Sequence, residues 1–151
     1  MKSTLSSFEC GLLELNKGNL DLAESLFRIS LLTDGDTPDC LTNLGIVLKQ
    51  KGLLDDSQSF YEHSLTISPD NVATLYNLGL LYFAKSENAL AELTYERAYA
   101  IDPENIDVVI QLCRNNNNWF FIFKCYNFRK LSMMMSIYFK NFTSKRLKFF
   151  S

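Results

Sequence analysis

The chain has 151 residues, 47% of them apolar and 21% charged, a composition that suits one globular domain with a real core and excludes a disordered class. Its formal charge of −2 hides a division: residues 1–113 hold 7 Lys/Arg against all 17 Asp/Glu, net −10, and residues 114–151 hold 8 Lys/Arg and no acid, net +8. His63 is the only histidine, and Cys10, Cys40, Cys113 and Cys125 form no C-x-x-C pair, which excludes histidine metal clusters, a zinc-ligand array and a disulfide framework.

Residues 1–8 carry Ser3, Thr4, Ser6 and Ser7 rather than an apolar leader core, and no run of about 18 uncharged apolar residues follows anywhere. A cytoplasmic protein is the expectation. A period of 34 residues then organises the first 113. In chain order, copy one (4–37) carries Gly11, Gly18, Ala23, Phe27 and Ser30. Copy two (38–71) carries Gly45, Gly52, Ser57, Tyr61 and Ser64 at the same offsets, and copy three (72–105) carries Gly79, Ala91, Tyr95 and Ala98. Leu41-Thr42-Asn43-Leu44-Gly45 returns as Leu75-Tyr76-Asn77-Leu78-Gly79, and Ser68-Pro69-Asp70 as Asp102-Pro103-Glu104.

Within copy two, Leu41, Leu44 and Leu48 fall at i, i+3, i+7, and Ser57, Tyr61, Ser64 and Leu65 at i, i+4, i+7, i+8, so two successive helix faces are predicted and no strand. Lys51-Gly52 makes the turn between them, Pro69 stops the second helix at Ser68, and Asp70-Asn71 offers the next cap. Small residues let helices approach, with Gly45 meeting Ser57 and Gly79 meeting Ala91, while Tyr61 and Tyr95 fill the space between copies. In copy one the second helix is expected over Asn19 to Leu32, and Gly35 stands where the proline should be. A fourth copy starts at 106–113 with Ile106, Val109, Leu112 and Cys113, and is expected to fail at Arg114 and the four asparagines after it.

These residues resemble the tetratricopeptide repeat, whose pattern is W-x2-L-G-x2-Y, A-x3-F and P in 34 residues; Leu41 and Leu75 replace the Trp. The resemblance implies an all-α, right-handed superhelical solenoid of antiparallel helical hairpins, acting as a non-catalytic protein-interaction module with no cofactor or metal. In such arrays the first helices line a concave groove. The resemblance implies that Asn43 and Asn77, with Gln111 at the same offset, hold the backbone of a peptide or protein ligand, since a carboxamide offers two donors and an acceptor. The bland alternative is that Asn merely tolerates a wet helix face. Groove neighbours at matching offsets are Thr42, Ile46 and Lys49, then Tyr76, Leu80 and Phe83; apart from Lys49 the basic residues of a carboxylate clamp are absent.

Other chemistry is thin. His63 matches Arg97 one period later and so reads as solvent-facing, and Asp34/Asp36/Asp39 and Asp55/Asp56 suit turns and caps better than calcium. No Gly-rich phosphate cradle is present. Residues 114–151 hold 11 aromatics and the run Met133-Met134-Met135 without periodicity, and Phe, Lys, Asn, Ile and Tyr make up 23 of the 38. That bias towards A/T-rich codons reads as a non-native or disordered tail. The functional alternative is membrane contact, with Trp119, Phe120, Phe121 and Phe123 in the interface and Lys124, Arg129 and Lys130 on headgroups, which would make the chain a peripheral membrane adaptor. Nucleic-acid binding is not expected. A further alternative is the substrate-recognition region of a larger enzyme, because similar repeats with Asn-Leu-Gly precede protein glycosyltransferase domains.

Overall fold

The computed structural model describes residues 5–116. Helices and connections alone occur among them, in the order α1 Ser7–Asn16, α2 Leu20–Asp34, α3 Pro38–Gln50, α4 Leu54–Ile67, α5 Val72–Ala84, α6 Asn88–Ile101 and α7 Ile106–Asn116. Starts and stops follow local chemistry. Ser6 and Glu9 form a reciprocal capping box on α1, Thr37 caps α3 ahead of Pro38, and Asn71 caps α5 by accepting from the Thr74 N–H at 3.0 Å. Ser68 leaves helical geometry (φ −130°, ψ 85°) directly before Pro69, as expected. Copy one ends its second helix differently: Gly35 takes φ 82°, a left-handed value that halts α2 without a proline.

Turns inside the hairpins show one irregularity. Gly18 and Gly52 sit at φ 81°, but the same turn in copy three is made by Ser86 at φ 63°. A side chain there costs about 1–2 kcal/mol, of which glycine's greater unfolded freedom returns roughly half. Ser86→Gly is therefore expected to raise the thermal midpoint by a few degrees in a calorimetric scan; a lower midpoint would show that Ser86 is not strained.

Packing follows the chain. Each helix lies against the next, and in addition α1 touches α3 and α3 touches α5, with no comparable contact between α2 and α4 or α4 and α6 among the described residues. The first helices of successive hairpins are thus the closer-packed wall, so the array curves with α1, α3 and α5 on its inner side. The aromatic of each second helix fills the gap between copies, as the sequence suggests: Phe27 clusters with Leu44 and Val47, Tyr61 with Leu78 and Leu81, and Tyr95 with Val108 and Leu112. Each ring also lies flush on the glycine of its own hairpin. A Cβ at Gly45 would stand 2.5 Å from Tyr61 Cε1, and one at Gly11 2.7 Å from Phe27 Cε1. What the glycines admit is therefore the ring as much as the small residue opposite, although Ser57 also donates to the Gly45 carbonyl at 2.7 Å.

Helix α7 spans Ile106–Asn116, with Val108, Val109 and Leu112 buried, so the first helix of the fourth copy is present up to the last described residue. The failure expected within the asparagine run reaches beyond the described residues. The tail expectations, including membrane contact by Trp119, Phe120, Phe121, Phe123, Lys124, Arg129 and Lys130, fall outside the described residues. No helix among the described residues is long and apolar enough to cross a membrane.

Candidate functional site: the wall of first helices

Along α3 the residues Asn43, Ile46 and Lys49 recur every three positions, so they share a stripe away from Leu41, Leu44 and Leu48, which are buried. Along α5 the matching stripe is Asn77, Leu80 and Phe83. Because α3 packs against α5, the two stripes lie side by side on the inner wall. Asn43, Ile46, Lys49, Asn77 and Leu80 are half-buried, while Phe83 leaves 55% of its surface exposed.

The two carboxamides are held alike. Asn43 Nδ2 donates to the Asp39 carbonyl at 2.8 Å, and Asn77 Nδ2 donates to the Ala73 carbonyl at 2.9 Å. Each back-bond to the preceding turn fixes the amide plane and uses one N–H, which leaves the other N–H and the carbonyl oxygen. Gln111 is half-exposed in the same register on α7. In copy one that register is Glu9, whose carboxylate folds back on the Ser6 N–H at 2.8 Å and serves the α1 cap instead.

Two neighbours inferred from the sequence are placed otherwise. Thr42 is only 5% exposed. Its hydroxyl lies 2.7 Å from Thr74 Oγ1 and 3.1 Å from Ser64 Oγ, and donates to the Pro38 carbonyl at 2.7 Å. It therefore belongs to the core between copies two and three and not to the groove. The reason is that its hydroxyl finds partners inside, which a residue at the same offset in copy three, Tyr76, does not have. Tyr76 is half-buried and tilts against Tyr95 with ring centroids 6.2 Å apart, so part of its ring is taken up by the core of copy three. Leu12 and Arg114, at the offset of Ile46 and Leu80, extend the stripe at either end; the period itself was the signal that could have found them.

Lys49 is the charged member. Desolvation by its neighbours holds its amine below the ordinary lysine range. Elsewhere lysines serve structure. Lys51, at the end of α3, reaches back to Asp21 at 2.6 Å and Glu24 at 2.8 Å on α2, and Lys85, one period later at the end of α5, reaches Asp55 at 2.9 Å and Gln58 at 2.8 Å on α4. The carboxylates of Asp21 and Glu24 are held below their usual range chiefly by hydrogen bonds from Lys51, and hydrogen bonding to Asp21 and Glu24 raises the Lys51 amine in turn. His63 lies on α4, exposed, with Nε2 3.5 Å from Asp36 Oδ2, away from the wall of first helices.

Comparison with known proteins agrees with this architecture. Residues 36–104 match the family model described as tetratricopeptide repeat. None of the curated proteins matches the chain in sequence. Among solved structures, the first repeat domain of Spaghetti (RPAP3), bound to the HSP90 peptide SRMEEVD, superposes with a TM-score of 0.69 at 18% identity, over 74% of this chain and 88% of that one. The Sgt2 domain from Aspergillus fumigatus gives 0.69 at 16% identity over 74% and 75% of the two chains. The Arabidopsis OM64 domain gives 0.69 at 12% identity over 74% and 93%.

Proposed function

We propose that this chain, whose residues 36–104 match the tetratricopeptide repeat model, binds an extended polypeptide segment along the wall of its first helices, chiefly through the ligand's main chain. The observation that carries this reading is the paired carboxamide. Asn43 and Asn77 stand one period apart, make the same back-bond and keep one donor and one acceptor each. A strand ligand presents alternating N–H and C=O groups at about 3.3 Å per residue, and packed helices stand about 8–10 Å apart, so successive carboxamides meet the backbone about every third residue. The apolar Ile46, Leu80 and Phe83 between them supply side-chain contact area. One structural neighbour is itself bound to a peptide, which supports the class of ligand. The module is non-catalytic in this reading, and the free thiols of Cys10 and Cys40 suit a reducing, cytoplasmic setting.

The test is to select binders for the full chain from a display library of randomised twelve-residue peptides, and titrate them calorimetrically against wild type and the Asn43→Ala/Asn77→Ala variant. Several hydrogen bonds of about 0.5–1.5 kcal/mol each are removed, so affinity should fall roughly ten-fold or more with helical circular dichroism unchanged. Equal affinities would remove the asparagines from the account.

A further inference from the structure

The lysines of the described residues divide into two groups. Lys17 lies 2.7 Å from Glu14, Lys51 2.6 Å from Asp21 and Lys85 2.9 Å from Asp55. Lys49 has no carboxylate within ion-pair distance among the described residues, although it is half-buried and residues 1–113 carry a net charge of −10. A partly desolvated ammonium without a counter-charge is costly, and its depressed pKa has burial as its cause with no compensating acid. A structural lysine would be expected to pair with one of the 17 acids of the repeat region, as the other three do.

Its surroundings say what would pair with it. At the same offset in copies one and three stand Leu15 and Phe83, so the row across the wall reads apolar, cation, apolar. Ile46 lies one turn away on α3. Lys49 sits on the middle copy with wall on both sides, which suits a ligand that passes through rather than one that ends there. The acidic repeat region disfavours a ligand carrying a run of acids, so one carboxylate is favoured where the cation stands.

We propose that Lys49 is a specificity-determining contact for one internal Asp or Glu side chain of the bound segment, flanked on both sides by apolar residues. This rests on the peptide-binding reading above. Transfer of the ligand carboxylate onto Lys49 makes a charge-assisted hydrogen bond in a partly dry site, stronger than a surface pair.

The experiment uses the full chain and a library of internal twelve-residue segments, anchored at both ends so that no terminal carboxylate is offered. Wild type, Lys49→Met and Asn43→Ala/Asn77→Ala are each used for selection. Wild type should enrich one Asp or Glu between apolar residues, and Lys49→Met should still select apolar segments but without the acid. A selected segment made with Asn in place of its Asp should bind wild type about ten-fold more weakly, and bind Lys49→Met as well as its parent does. Absence of acid enrichment on wild type, or its persistence on Lys49→Met, overturns the role of Lys49 and leaves the groove intact. Failure to select any segment, or selection indifferent to the two asparagines, overturns the groove reading and this contact with it. Helical circular dichroism of each variant confirms that folded protein was compared.

Discussion

Gly79→Ala is expected to melt about 4–24 °C below wild type. An alanine Cβ at this position would stand 2.7 Å from Tyr95 Cζ and 2.8 Å from Cδ1, inside any real carbon contact. The ring has nowhere to retreat, because Tyr95 is 1% exposed and held among Ala91, Val108 and Leu112. Overpacking of this kind costs about 1–3 kcal/mol, and about 4–8 °C of midpoint is lost per kcal/mol in a domain near this size. Gly45→Ala should behave likewise against Tyr61. The pairing itself is tested by Gly79→Ala with Tyr95→Leu: if the ring is what the methyl strikes, the double variant should be less destabilised than the two single losses added together. Additive losses, or an unchanged midpoint for Gly79→Ala, would mean that ring and glycine do not touch as described.

Thr74→Val is expected to cost about 1–2 kcal/mol in urea denaturation, although threonine and valine have the same shape. Thr42, Ser64 and Thr74 come from α3, α4 and α5 and close a ring of hydroxyls at 2.7 Å and 3.1 Å, with Ser64 also donating to the Pro38 carbonyl at 3.1 Å. All three are 5% exposed or less, so removing one member leaves a buried neighbour short of a partner. Replacing the whole set should cost far less than the singles imply. The triple variant Thr42→Val/Ser64→Ala/Thr74→Val leaves no hydroxyl to satisfy, and one period later the chain itself uses Tyr76, Ala98 and Val108 at these places. Triple and single losses that simply add would show that the hydroxyls act independently.

The repeat was legible because its determinants are local: small residues, aromatics and prolines at fixed offsets dictate each hairpin, and 34-residue recurrence displays them. The asparagines were legible for the same reason. Thr42 was not, since an offset assigns a residue to a helix side but does not say whether a neighbouring copy supplies partners that draw its hydroxyl inward. Ser64 and Thr74 do so, and only at one of the boundaries between copies. The solitary state of Lys49 is likewise invisible in sequence, because the repeat region holds 17 acids and only geometry shows that none of those among the described residues pairs with it.

The bridges made by Lys51 and Lys85 carry a consequence for how the array comes apart. Each ties the last turn of one first helix to the opening turn of the preceding second helix, so the three hairpins behave as sites of a one-dimensional lattice with a charged coupling at both internal junctions. Continued by one period, the acceptor positions read Ala89 and Glu92 and the lysine position reads Trp119, so the aspartate and the cation are both replaced by uncharged residues. The sequence therefore does not repeat this lysine–aspartate pair at the third junction. Unzipping should start from the α7 side and travel towards α1, with amide exchange and protease nicking reaching α6 before α4 and α4 before α2.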